Sequence, residues 1–208
     1  MVEVYNSDNQ RDQTEAVKQF FANNGKALAV GAVIGIAALI GWRFWVNHQQ
    51  NNALAASDHY QQLISTLNVD KPASIEALAS FVEHDKSSYG ALASLTLAKT
   101  YVDKHDLANA AKSLEQGLQD TSDQSLQSVI RLRLARLQSE LKNPDAALKT
   151  LDGVKGDSWT GIAADIRGDV LVTKGDKQGA AAAWRKGITS EVSPALKQMM
   201  QTKLNNIS

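Results

Sequence analysis

The sequence predicts an all-α protein: one N-terminal transmembrane helix, then a solenoid of helical hairpins closed by a C-terminal capping helix. Residues 27–42 (ALAVGAVIGIAALIGW) carry no charge and are fenced by Lys26 and Arg43. Small and large residues then recur at spacings of 37 and 33 through the remainder of the chain. Four-residue turns, each containing aspartate, interrupt the helical pattern at matching places.

Extending the apolar run through Phe44, Trp45 and Val46 gives about twenty helical residues, roughly 30 Å, enough to cross a bilayer. Basic residues in short flanks set orientation. Arg11, Lys18 and Lys26 precede the run, whereas only Arg43 follows it before Lys71. The expectation is a cytoplasmic tail over 1–24, an anchor over 25–46, and a domain over 47–208 facing the periplasm or an equivalent compartment. Trp42, Phe44 and Trp45 suit the interfacial aromatic belt, to which Arg43 can snorkel. A cleaved signal peptide is the alternative, because Ala53-Leu54-Ala55 has the small-x-small pattern that a signal peptidase reads. Inside the run, Ala27, Gly31 and Gly35 form a small-xxx-small stripe that would let a second helix approach, although glycine is also simply common in such helices. Glu15 to Phe21, with Val17, Phe20 and Phe21, reads as a short amphipathic helix on the membrane face or as a plain lead-in.

The chain has 22 basic and 22 acidic residues, and 18 of each fall in 47–208. Such balance gives no electrostatic footprint for nucleic acid. With no cysteine, disulfides, thiol catalysis and cysteine zinc sites are excluded. About 160 residues outside the tail and anchor are enough for one domain with its own core.

Residues 91–101, a turn at 103–106 and residues 107–118 form one hairpin pattern. Residues 131–138, a turn at 142–145 and residues 146–151 form the second. Residues 162–171, a turn at 174–177 and residues 178–187 form the third. Each second helix places a large residue at Leu114, Leu151 or Trp184, and a small one four earlier at Ala110, Ala147 or Ala180. The small residue of each first helix falls at Ala98, Ala135 or Gly168. Paired small residues let the helices of a hairpin close up, while the large residue plugs the groove to the next hairpin. A degenerate earlier unit places Ala77 and Phe81 another 33 residues back, its first helix running over about 51–67 with Tyr60, Leu63, Ile64 and Leu67 on one face. Ser193-Pro194 reads as an N-cap and first helical residue, opening a capping helix with Leu196, Met199, Met200 and Leu204 on one face.

This pattern resembles the tetratricopeptide repeat, whose hairpins depend on their neighbours for burial and stack around a groove lined by the first helices. The resemblance implies a groove built from 91–101, 129–138 and 161–171, with Leu97, Tyr101, Arg131, Leu134 and Gln138 as candidate lining residues. Such a groove holds peptide segments or partner helices.

No catalytic constellation emerges, and no cofactor is expected. His48, His59, His84 and His105 show no ligand spacing, with His105 in a solvated turn; Gly153 and Gly156 belong to a connecting loop. Arg131, Arg133 and Arg136 form a basic cluster whose alternatives are solvation, pairing with aspartate, or an acidic partner.

The anchor with its flanks (AVKQFFANNGKALAVGAVIGIAALIGWRFW), followed by SYGALASLTLAKTYVDK, DTSD and LRLARLQ, is similar to the YfgM family of single-pass bacterial inner-membrane proteins. The likeness covers about residues 13–206. It implies an ancillary role at the SecYEG translocon, association with the membrane-anchored prolyl-isomerase-type chaperone PpiD, and transfer of newly translocated proteins to periplasmic folding factors. For some members it also implies control of an envelope-stress response regulator through the cytoplasmic tail. Two alternatives stand beside this reading: a homo-oligomeric membrane scaffold, and a cytosol-facing signalling adaptor of inverted topology.

Overall fold

The computed structural model describes residues 4–207, all of whose regular elements are helices: α1 (Val4–Thr66), α2 (Pro72–His84), α3 (Ser88–Asp103), α4 (Leu107–Asp120), α5 (Gln124–Glu140), α6 (Pro144–Asp152), α7 (Asp157–Lys174), α8 (Lys177–Ile188) and α9 (Pro194–Ile207). The chain divides into two compact units, Met1–Asn52 and Ala53–Ser208.

In the first unit α1 carries an apolar window long enough to cross a membrane, and none of that window is buried within the protein. Val33, Ile34, Leu39, Ile40, Trp42 and Phe44 all stand open on it. In water this apolar surface would be strongly unfavourable, whereas a bilayer would cover it, the helix satisfying its own backbone. The side chains of Val17, Phe20 and Phe21, assigned above to an amphipathic segment, lie outside the described residues.

In the second unit the pairs α3–α4, α5–α6 and α7–α8 form antiparallel hairpins, α8 packs on α9, and neighbouring hairpins meet through α2–α3, α4–α5, α5–α7 and α6–α7. The turns repeat one backbone solution. His105, Lys142 and Gly175 are left-handed, at φ 59°, 62° and 85°. The next residue in each turn, Asp106, Asn143 or Asp176, donates its N–H back to the carbonyl of Tyr101, Gln138 or Leu171, at 2.8, 2.8 and 2.9 Å. Its side chain then accepts from the N–H of Asn109, Ala146 or Gly179 and caps the second helix. The Asn109 side-chain N–H, and then its backbone N–H, hold the Asp106 carboxyl below the ordinary carboxylate range. A left-handed conformation strains any residue with a Cβ. Gly175→Ala is therefore expected to destabilise the domain by about 1 kcal/mol, seen as a lower thermal midpoint by circular dichroism.

The core follows the repeat. Ala98, Ala110 and Leu114 share a buried cluster with Ile130 and Leu134 of α5. Ala135, Ala147 and Leu151 share one with Ile166 and Val170 of α7. Ala180 and Trp184 share one with Met200 and Leu204 of α9. Each large residue of a second helix thus reaches the first helix of the next hairpin, and α9 supplies that surface for Trp184. Gly168 is buried, and a Cβ built on it would overlap the Trp184 indole. Ser193 caps α9, accepting from the Leu196 N–H at 3.3 Å.

The first hairpin departs from the pattern. Ala110, Ala147 and Ala180 are wholly buried, but Ala77 is exposed and its neighbour Leu78 takes the core place instead. Leu78, Phe81 and Val82 pack with Leu97 and the half-buried Tyr60, Leu63, Ile64 and Leu67. Phe81 keeps the buried place 33 residues before Leu114, but α1 presents bulky residues here, Leu78 meets them, and no small-on-small contact forms at Ala77.

Candidate functional site

The first helices present one continuous stripe. Leu92, Val129 and Ile162 are half-buried on it, and Lys99, Arg136 and Asp169 are exposed one residue after the small packing positions Ala98, Ala135 and Gly168. α3 lies beside α5, and α5 beside α7. The Arg136 guanidinium is near enough to Asp169 to act on its carboxyl electrostatically. The result is a surface of half-covered aliphatic side chains ruled by a row of charges, suited to an extended or helical segment that offers both apolar and ionic contacts.

At its C-terminal end α9 closes the stripe. Lys203 Nζ donates to Asp165 Oδ1 at 2.8 Å and to Asp169 Oδ2 at 2.7 Å. The same ammonium stands 5.9 Å from the Trp184 ring centroid, and the indole N–H donates to the Asp165 carbonyl at 3.2 Å. Asp165 is buried. Burial pushes the Asp169 carboxyl up, with the Lys203 hydrogen bond working against it. Burial draws the Lys203 ammonium down, but its bonds to Asp165 and Asp169 outweigh that and leave it raised. Asp169, Val172, Trp184, Lys203, Asn206 and Ile207 line a shallow depression of about 510 Å³ there.

The five lining candidates named from the sequence do not occupy this stripe. Leu97 and Leu134 are core residues, 3% and 2% exposed. Arg131 lies over Gly153 and donates to Gln127 Oε1 at 3.0 Å. Gln138 accepts from Thr150 Oγ1 on α6 at 2.7 Å. Tyr101 is wedged between the first two core clusters. All five face the second helices, and Leu97 and Tyr101 line a cleft of about 600 Å³ with Val82 of α2 and Lys112 of α4. Choosing helix faces by apolar character selects the side that packs. The open side follows instead from the residue after each buried small one, rotated by 100°.

In the first unit Lys26, Trp42, Arg43 and Trp45 are exposed, and the Trp42 and Trp45 rings lie 5.5 Å apart. A Cβ at Gly31 or Gly35 would meet no atom within 4 Å. Among the described residues no three metal-ligating side chains gather.

A family model described as a tetratricopeptide repeat-like domain matches residues 18–208. The ancillary SecYEG translocon subunit of Escherichia coli (strain K12) is 56% identical over 207 residues, covering 100% of both chains. The protein of that name from Haemophilus influenzae is 34% identical over 199 residues, covering 95% of this chain and 97% of its own. That from Aggregatibacter actinomycetemcomitans is 33% identical over 206 residues, covering 98% and 100%.

Proposed function

Because the chain belongs to the tetratricopeptide repeat-like family of ancillary SecYEG translocon subunits, we propose that it serves the Sec translocon as a membrane-anchored adaptor. Its apolar helix stays in the inner membrane with the N-terminus cytoplasmic, and its hairpin domain stands in the periplasm. The domain engages the channel and the anchored chaperone PpiD, and helps pass newly translocated chains to periplasmic folding factors. The cytoplasmic tail is the segment available to an envelope-stress response regulator.

The observation that supports this most is identity along the full length, anchor included, to proteins named as translocon subunits. The first-helix stripe supplies a means. Leu92, Val129 and Ile162 can cover apolar side chains of a bound segment, while Arg136 chooses among segments by charge. Turns closed by the same capping bond in the three hairpins from α3 to α8 hold the stripe rigid, so little entropy is lost on binding.

Two measurements test this. In spheroplasts, added protease should digest the hairpin domain while the tail stays protected; digestion only after lysis would overturn the topology and leave a cytosol-facing adaptor. A photo-cross-linker in place of Lys99 or Arg136 should trap channel or chaperone subunits in native membranes. Recovery of lipid adducts alone would remove the stripe from the reading.

A further inference from the structure

The second helices at the two ends of the hairpin domain carry opposite charge on open faces. α2 turns Glu76, Ala77, Ser80 and Glu83 to solvent. α8 turns Lys177, Gln178, Ala182, Arg185 and Lys186 to solvent and contains no acidic residue. Among the described residues, ion pairs tie down Lys86, Lys99, Arg167, Lys174 and Lys203, and none of these pairs involves these two glutamates or these three cations. The asymmetry extends beyond the two helices. Residues 53–123 hold five basic and ten acidic side chains, whereas residues 177–208 hold five basic and one acidic.

Shape agrees with charge. Ala77 is uncovered, and with Leu63, Ser80, Phe81 and His84 it lines an open depression of about 750 Å³. Small side chains separate the charges on both helices, Ala77 and Ser80 on α2, Ala181 and Ala182 on α8, so two backbones can approach closely. Glu76 and Glu83 are about 10 Å apart along their axis, and Lys177 and Arg185 about 12 Å, at 1.5 Å rise per residue. The two charge pairs can therefore face each other across one helix crossing.

We propose that the α8 face of one copy docks on the open first hairpin of a second copy, with Lys177, Arg185 and Lys186 against Glu76 and Glu83. Such a contact is heterologous, since the two surfaces differ. Exposed pairs of this kind are weak singly. Anchoring both copies in one membrane raises their effective concentration and lets several weak pairs suffice.

The chain has no cysteine, so introduced thiols report unambiguously. Full-length Ala77→Cys and Gln178→Cys variants, both at exposed positions that leave the charges in place, would be mixed in vesicles of zwitterionic lipid and oxidised. The expected product is the mixed 77–178 disulfide, in about tenfold excess over either symmetric one, as unlike surfaces demand. Adding Arg185→Glu and Lys186→Glu to the Gln178→Cys chain should abolish it. Glu76→Lys with Glu83→Lys on the other chain should then restore it, and about 0.5 M salt should weaken the original contact by screening. Absence of the mixed product, dominance of a symmetric one, or indifference to charge reversal would overturn the proposal. So would loss of affinity of the Arg185→Glu, Lys186→Glu chain for phosphatidylglycerol vesicles without any mixed disulfide, since the α8 face would then serve lipid.

Discussion

Trp184→Ala should remove about 3–5 kcal/mol of stability from the hairpin domain, the usual cost of truncating a buried indole. The residue is 2% exposed and its ring joins three helices: Gly168 of α7 lies against it, while Met200 and Leu204 of α9 close the other side. Its N–H also donates to the Asp165 carbonyl at 3.2 Å, beside that carbonyl's own helical bond, so truncation removes a buried hydrogen bond as well as leaving a cavity. For a domain of this size that loss corresponds to a fall of roughly 10 °C in thermal midpoint. The double-mutant cycle with Gly168→Ala makes the test specific. In the parent, an added methyl overlaps the indole and should cost about 1–3 kcal/mol by overpacking. In the Trp184→Ala background the same methyl enters the vacated space and should be neutral or stabilising. If both backgrounds respond alike, Gly168 is small for some other reason and the account of this hairpin is wrong.

The pair Gly168 and Trp184 also shows why the fold was legible in the sequence. Packing imposes spacing, and Ala98, Ala110 and Leu114 recur as Ala135, Ala147 and Leu151 and then as Gly168, Ala180 and Trp184, with the last hairpin trading a larger plug against a smaller floor. Nothing equivalent marks a binding face. Leu97 and Leu134 are apolar because they belong to the core, so apolar character at their positions marks packing and does not single out a binding face. The stripe residues Lys99, Arg136 and Asp169 share a register but no residue type, so only the helix rotation from their small neighbours places them together. Ala77 departs from its expected place for a related reason: its spacing fits the repeat, yet Leu78 and Phe81 are what the bulky residues of α1 meet. The lock made by Asp165 and Lys203 joins residues 38 apart, with no local signal. A faint one exists in the register, where aspartate stands at the position filled by Leu95 and Leu132 in the earlier hairpins.

That exchange of leucine for aspartate leads to the second large effect, Lys203→Met. The Asp165 side chain is 5% exposed and Lys203 26%. Without its ammonium, the carboxylate is left buried and uncompensated, an arrangement that costs about 3–5 kcal/mol when fully enclosed. Partial exposure of Lys203 lets water reach the site, and about 2–3 kcal/mol is the expected loss here. Combining Lys203→Met with Asp165→Leu, which returns the register to its apolar form, should recover most of that loss, because a well-packed hydrophobic group can replace a buried ion pair at little cost. The pH dependence separates charge from packing. With its folded pKa raised above the ordinary 10.5, Lys203 contributes stability that is complete below that value and fades as pH climbs past the folded one. Asp169, raised above 3.8 by burial, acts in the opposite sense, its penalty at neutral pH easing as the solution is acidified through its folded pKa. Unfolding of the parent should therefore become easier above about pH 10.5, relative to the Lys203→Met, Asp165→Leu chain, which has no ammonium to lose. An identical alkaline decline in both would mean that α9 is held by Met200 and Leu204 alone, with the ion pairs contributing nothing to its closure of the stripe.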